Sequence, residues 1–281
     1  MTKLNINFFK VIKNLFKYLY LIAITLIVLI PIFITVFASF KTTAEIGMQS
    51  PLTPPTRIYF ENYITAFTRG HFLIGFKNTM ILVIVSVAIN SLLGTMTAYA
   101  LNRFKYKFKK IIFILFMAGM VVPQFISEIG RFVVIKGVGA YNTMFAPIII
   151  YVATDLIQIF IYTQFIEKIP FSLDESAMLD GCSYFGIYWR IIFPLLLPAM
   201  AVLGIIKAVN IINDMYVPYL YMPSANLRTM STTLMDFSSA MSGSWANLSA
   251  GIVMVMLPTI VIFLVFQKYI FAGIVAGAVK E

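Results

Sequence analysis

The chain has 281 residues, of which 60% are hydrophobic and 11% charged, with a mean hydropathy of +0.92. A soluble domain carries roughly 25% charged residues, so this composition excludes a water-soluble globular protein and indicates a membrane protein. One cysteine, Cys182, excludes an internal disulfide, and one histidine, His71, excludes a two-histidine metal motif.

An apolar stretch crosses the hydrocarbon core as a helix when it reaches about 20 residues, because only a helix satisfies its own backbone groups there. Six segments are predicted to do so: residues 18–40, 79–101, 111–126, 144–162, 191–212 and 250–271. The third is short, and Pro123 predicts an irregular outer end that runs on toward residues 128–131. The first follows Lys3, Lys10, Lys13 and Lys17, as a signal peptide would. Its apolar run exceeds the roughly 7 to 15 residues of a signal core and no small-residue cleavage site follows, so it reads as a retained helix.

The net charge is +10, and its distribution sets an orientation. With the amino end inside, 13 Lys and Arg fall on inner segments and 7 on outer ones, with Lys207 left inside the fifth helix. The inner groups include Arg103, Lys105, Lys107, Lys109 and Lys110, then Lys168 and Arg190, then Lys268 and Lys280. Cytoplasmic segments carry such an excess, so both termini are predicted to be cytoplasmic. Anionic lipid accounts for this basic face, and no nucleic-acid partner is implied.

Residues 164–190 then form a cytoplasmic loop between the fourth and fifth helices. Ser172 and Glu175 have the S-x-x-E spacing of a capping box. Gly181 stands where a short helix would close in the left-handed conformation, which costs a residue with a Cβ about 1 to 2 kcal/mol. A helix over residues 173–180 is predicted, with Leu173, Ser176, Ala177 and Asp180 sharing one face. A plain solvated connector, its acids balancing Lys168 and Arg190, needs neither a small-residue face nor a closing glycine. Contact with a second protein explains both. Cys182, next to Gly181, reads as a packing residue, and His71 as a solvated loop residue.

Glu175-Ser176-Ala177, three residues, Gly181, nine residues, Ile191, one residue and Phe193-Pro194 resemble the EAA motif of ABC importer permeases. Ser176 departs from the motif's second alanine and Phe193 from its leucine. The resemblance covers residues 76–281 and points to the carbohydrate branch, in particular the smaller permease of maltose-type pairs. "AYALNRFKYKFKK" (98–110), "GVGAYNTMFAPIIIY" (137–151), "IINDMYVPYLY" (211–221) and "QKYIFAGIVAGAVKE" (267–281) carry it. Ile212 stands where that branch usually has tryptophan, and Glu281 replaces a final glycine.

The resemblance implies an all-α membrane protein of six transmembrane helices, with the type I ABC importer permease fold and a cytoplasmic coupling helix. It implies a cytoplasmic amino segment (1–17), a first helix with outer loop (18–71), a core permease domain (72–272) and a cytoplasmic tail (273–281). The implied function is ATP-driven uptake of a sugar or oligosaccharide across a bacterial inner membrane. The implied partners are a homologous permease, two ATPase subunits and an extracytoplasmic solute-binding protein. Glu175, Ser176, Ala177, Asp180 and Gly181 would dock in a groove of the ATPase. Gly277, Ala278, Val279 and Lys280 would insert between the ATPase subunits, and residues 222–249 are expected to meet the binding protein. No G-x-x-x-x-G-K-[ST] occurs, so this subunit has no phosphate cradle of that kind. ATP and Mg belong to the partners, and the chain itself is expected to bind no cofactor or metal and to be no enzyme.

Ionisable residues inside membrane helices are costly and face a partner or a wet cavity. Lys207, Asn210 and Asp214 fall on one stripe of the fifth helix, beside Asn213, and Asp155 lies in the fourth. They are candidates for the translocation path; a Lys207–Asp214 pair that only fixes helix packing is the alternative. Two rival functions stand beside sugar import. One is a type I importer of amino acids or phosphate, against which the G-A-V-K ending and Asn213-Asp214 weigh. The other is a non-transporting membrane protein or membrane enzyme, which would need a cluster of catalytic groups that this composition does not supply.

Overall fold

The structure is a computed structural model and describes residues 2–153, 155–238 and 244–278. Every regular element among the described residues is helical. From the amino end these are α1 (Thr2–Ser39), α2 (Thr43–Met48), α3 (Glu61–Arg69), α4 (Phe72–Arg103), α5 (Lys109–Val121), α6 (Gln124–Gly137), α7 (Phe145–Val152) and α8 (Leu156–Glu167). Then follow α9 (Ser172–Leu179), α10 (Tyr184–Ile187), α11 (Phe193–Asn213), α12 (Tyr216–Tyr221), α13 (Met230–Thr233), α14 (Met235–Ser238) and α15 (Trp245–Ala278).

Four stretches are long and apolar enough to cross a membrane: Lys10–Ser39, Phe72–Arg103, Tyr184–Asn213 and Trp245–Lys268. Their 24 to 32 residues rise about 36 to 48 Å, more than the roughly 30 Å of hydrocarbon. Pro31 inside α1 removes one backbone donor, and the Thr35 hydroxyl bonds the Pro31 carbonyl at 2.8 Å. No residue is buried in the most apolar 18-residue window of α1. Lipid or another subunit must cover it.

The other two predicted spans are broken. Pro123 holds Val122 extended (φ −74°, ψ 117°) and separates α5, 13 residues long, from α6. At about 20 Å, α5 alone is too short to cross. The fourth span divides into α7 and α8, bent by 45°. The cause is a side chain within the apolar run: the Asp155 carboxylate accepts the Ile157 N–H at 3.0 Å and starts a new helix. Of the six predicted spans, four are thus long, apolar helices among the described residues, or five with the bent α7–α8 pair.

The chain divides into two compact units, residues 1–72 with 234–256, and residues 73–233 with 257–281. In the first, the Asn62 carboxamide donates to the carbonyls of Ser39 and Lys41 at 2.9 and 2.8 Å, and Ala66, Phe237 and Ala250 form a small core. The second holds two apolar clusters. One gathers Leu82, Ile135, Ala146, Ile211, Ile212 and Tyr221; the other gathers Tyr99, Tyr162, Ile166, Ala177, Ile187 and Ile192.

The expected binding-protein segment, residues 222–249, is not one free surface. Thr229 to Thr233 are buried, with the Met230 N–H bonded to the Thr79 hydroxyl at 3.0 Å. The Asn78 amide donates to the carbonyls of Asn226 and Arg228, both at 2.9 Å. Of residues 222–226, Pro223, Ala225 and Asn226 are exposed, while residues 239–243 lie outside the described residues.

Candidate functional site

The short helix α9 forms one residue ahead of its predicted start, and the capping box is absent. Phe171 is the cap residue, without a side-chain bond, and Ser172 is already helical. A hydroxyl inside the first turn cannot cap it, so Asp174 and Glu175 instead complement the positive helix end. A capping box forms elsewhere, between Thr42 and Glu45.

The closing glycine behaves as predicted. Gly181 has φ +82°, its N–H bonds the Met178 carbonyl at 3.0 Å, and the Cys182 N–H reaches the Ala177 carbonyl at 2.9 Å. Those two bonds are the pair that ends a helix through a left-handed residue. Cys182 packs, partly buried, against the apolar cluster below α9.

The predicted small-residue face is corrected at one position. Ala177 is 6% exposed and turns inward against that cluster, whereas Leu173, Glu175, Ser176, Leu179 and Asp180 face outward. Leu179 is 90% exposed. The outward surface of α9 is an apolar edge flanked by acids, not a stripe of small residues.

Asp174 fastens α9 to the end of α4. Its carboxylate lies 2.6 Å from the Arg103 Nε, with the two side chains 2% and 8% exposed. The contact is an ion pair with poor hydrogen-bond alignment, and Asp174 Oδ1 takes no hydrogen bond. Burial pushes the Asp174 carboxyl up from its ordinary range, and Arg103 opposes that shift. Arg103 also donates to the Ile169 carbonyl at 2.9 Å and lies 5.5 Å from the centre of the Phe171 ring. One guanidinium therefore holds three points of the loop. Sequence reading counted Arg103 only as an inner basic residue. The sole signal was an acid, Asp174, beside the motif glutamate.

Below α9 the chain passes through α10 and a π-turn, Tyr188–Ile192, into α11. The Tyr188 hydroxyl meets the Thr95 hydroxyl of α4 at 2.9 Å, fully buried. Helix α11 and the loop thus share a base with α4. The Arg103–Asp174 and Thr95–Tyr188 contacts join α9 and the start of α11 to the same helix, α4.

Four of the five path candidates come together. A cavity of about 550 Å³ is lined by Asp155, Lys207, Asn210 and Asp214, with Tyr151 and Arg131. Asp214, just past the end of α11, accepts the Tyr151 hydroxyl at 2.9 Å and the Val217 N–H at 3.2 Å. Lys207 makes no ion pair with Asp214, so the Lys207–Asp214 packing pair does not form. Asn213 stays outside the cavity, exposed, with its amide on the Val209 carbonyl at 3.0 Å.

Arg131 and Tyr151 were missed. Arg131 is held by Glu128 at 2.6 Å, and Glu128, 8% exposed, also accepts the Tyr221 hydroxyl at 2.6 Å. The signal was an opposite-charge pair three residues apart in an apolar region. Of the predicted tail residues, Gly277 and Ala278 end α15, while Val279 and Lys280 lie outside the described residues.

Helices long and apolar enough to cross a membrane, a polar cavity lined by α11 and the broken helices α5 to α8, and a short helix clamped to α4 mark a multi-pass membrane subunit. Residues 90–275 match the family described as binding-protein-dependent transport system inner membrane component. The chain belongs to that family and is an ABC importer permease, a non-catalytic transport component. It is 32% identical to a probable starch degradation products transport system permease of Thermoanaerobacterium thermosulfurigenes, over 92% of this chain and 94% of the relative. It is 29% identical to the arabinooligosaccharides transport system permease AraQ of Bacillus subtilis, over 93% and 94%. A crystal structure of a bacterial ABC transporter that imports the acidic polysaccharide alginate superposes with a TM-score of 0.80 at 21% identity, covering 92% of this chain and 96% of that one. The fold is the type I ABC permease fold.

Proposed function

We propose that the chain forms one half of the membrane channel of a sugar or oligosaccharide importer, with Asp155, Lys207, Asn210 and Asp214 on the translocation path and α9 as the contact with an ATPase subunit. The observation that carries the path is their convergence on one cavity. A volume of about 550 Å³ lies within the range of small-ligand sites, roughly 300 to 1,000 Å³. Its mixture of both charge signs, an amide and a phenol suits hydroxyl-rich, uncharged solutes, whose free hydroxyls both accept and donate. The relatives named for starch products and arabinooligosaccharides support the same solute class.

In this reading α5 and α6 together form the broken third span, giving six crossings, with the amino segment 1–17 and the tail 273–281 in the cytoplasm. The lone path cation of α11, Lys207, and the acids Asp155 and Asp214 meet solute as it passes. ATP and Mg reside on two ATPase partners. A homologous permease completes the channel, and a binding protein delivers solute at the outer face. Closure of the ATPases pushes α9, and the Arg103–Asp174 and Thr95–Tyr188 contacts carry that push into α4 and α11. Two global states are then biased from both ends.

Lys207→Met provides the test of the path. Lys207 has no ion pair to lose, so the chain is expected to insert at normal level and the binding protein to stimulate ATP hydrolysis normally. Uptake of labelled oligosaccharide is expected to fall about tenfold, the worth of one hydrogen bond from a charged group. Unchanged uptake would remove Lys207 from the path.

Orientation has its own measurement. In a Cys182→Ala background, a cysteine at Lys109 is expected to be shielded from impermeant reagents in intact cells, and one at the exposed Asn226 to react. Reversed labelling overturns the cytoplasmic placement of α9.

A further inference from the structure

A second cavity, of about 660 Å³, opens beside the junction of α4 and α5 and is lined by none of the path candidates. Its floor is apolar, formed by Leu101, Phe116, Leu156, Ile159 and Phe160. Its rim carries Lys107, Lys109 and Lys110, with Glu167 as the opposing acid. We propose that this cavity binds an anionic glycerophospholipid, its phosphate among the three lysines and its acyl chains along the apolar floor.

Three observations converge on that occupant. The first is charge. None of the three lysines takes part in an ion pair formed among the described residues. The second is the placement of Lys109 and Lys110 in the first turn of α5, a turn that contains no acid. Cations are unfavourable at the positive end of a helix, and an anion bound there removes the conflict. The third is level. The rim follows directly after the long span that ends at Arg103, so it lies where headgroups lie, while Phe160, 50% exposed, presents apolar surface where acyl chains lie. A soluble phosphate would use the rim and leave the floor in contact with water. A phospholipid uses both. Basic pockets between membrane helices are suited to acidic headgroups for this reason.

The proposal rests on the reading of the chain as a membrane permease, but not on its orientation. Its rival is that the lysines act only by orienting the chain during insertion and attract acidic lipid without a site. Lys105 separates the two, because it belongs to the same basic run and does not line the cavity. The experiment takes the full chain in its assembled transporter, in discs of equal phosphatidylglycerol and phosphatidylcholine. The ratio of the two lipids retained after transfer to mild detergent is then measured by native mass spectrometry.

Phosphatidylglycerol is expected to be enriched. Lys107→Gln and Lys109→Gln are each expected to reduce the enrichment about fivefold, the equivalent of about 1 kcal/mol per basic residue near the headgroups. Thr163→Trp, which obstructs the apolar floor and leaves every charge in place, is expected to reduce it at least as far as a lysine change; Thr163→Leu serves where the larger variant fails to insert. Lys105→Gln is expected to change nothing. Full enrichment in the obstructed chain, or an equal loss with Lys105→Gln, overturns the site in favour of diffuse surface attraction. Absence of enrichment in the assembled transporter overturns it in favour of a protein cover. Discs present acidic lipid on both faces, so a wrong orientation leaves this result intact and appears only in the cysteine labelling.

Discussion

A Gly181→Leu chain is expected to reach the membrane at near-normal level and to transport almost nothing. Gly181 has φ +82°, and a leucine held there costs about 1 to 2 kcal/mol. That strain falls on the turn that closes α9, through the Gly181 and Cys182 N–H bonds, and not on any spanning helix. Within the chain itself a Cβ at this position meets nothing within 4 Å. The new side chain therefore enters space that the chain leaves open, where an ATPase subunit docked on α9 would meet it. Strain and bulk are separable. Gly181→Asn tolerates the left-handed conformation and adds modest volume, Gly181→Ala adds strain with almost no volume, and Gly181→Leu adds both. If docking governs, uptake and ATPase co-purification fall steeply only for leucine. If strain governs, alanine and leucine fall together and asparagine stays near wild type. Normal uptake with leucine would return α9 to the role of a solvated connector.

Residues separated by one helical turn were legible in the sequence; residues joined across the fold were not. The unbroken spans could be read because 24 to 32 residues of apolar helix have no alternative in lipid. Gly181 could be read because a left-handed closure has a chemical preference. The break at Pro123 was visible as irregularity, and its consequence, a 13-residue α5, follows from the missing N–H. The break between α7 and α8 is visible in the sequence only as Asp155, a path candidate that both starts a helix and lines the cavity. Ser172 misled because its spacing to Glu175 fits a box, yet Pro170 and Phe171 start the turn one residue sooner.

The partners were beyond local reading. Tyr151 and Asp214 bond across 63 positions, and Thr95 and Tyr188 across 93. Periodicity has no access to such distances. What it supplied was the set of polar residues that must find partners somewhere, and four of the five path candidates found the same cavity. The inward turn of Ala177 was likewise unreadable, since both sides of an eight-residue helix contain small residues, and only the cluster around Ile187 and Tyr188 decides which side is inner.

Arg103→Met is expected to uncouple transport from ATP hydrolysis more severely than any exposed charge change on α9. Removing one partner of a buried ion pair costs about 3 to 5 kcal/mol, because the other charge stays behind without compensation. Here the residue left behind is Asp174, 2% exposed at its side chain and already short of one hydrogen bond at Oδ1. Methionine also abandons the Ile169 carbonyl and the Phe171 ring, so all three points of the clamp are lost. Asp174→Asn is expected to be milder, because Arg103 keeps the carbonyl and the ring. The double change, Arg103→Met with Asp174→Asn, is expected to recover part of the loss, since no buried charge remains. The sign of the pH dependence follows from Asp174. Its carboxyl is raised by burial against the pull of Arg103, and without Arg103 it rises further. A carboxyl raised in the folded state favours docking when protonated, so the docked α9 is stabilised below that value and weakened as pH rises through it. Binding-protein-stimulated ATPase activity of Arg103→Met, divided by its basal activity, is therefore expected to be higher at the acidic end of the pH range in which the transporter stays assembled than at its alkaline end. The double variant is expected to lose that dependence. A stimulation ratio in Arg103→Met equal to wild type across that range, at normal membrane level, would reduce the pair to a local fastening with no part in coupling.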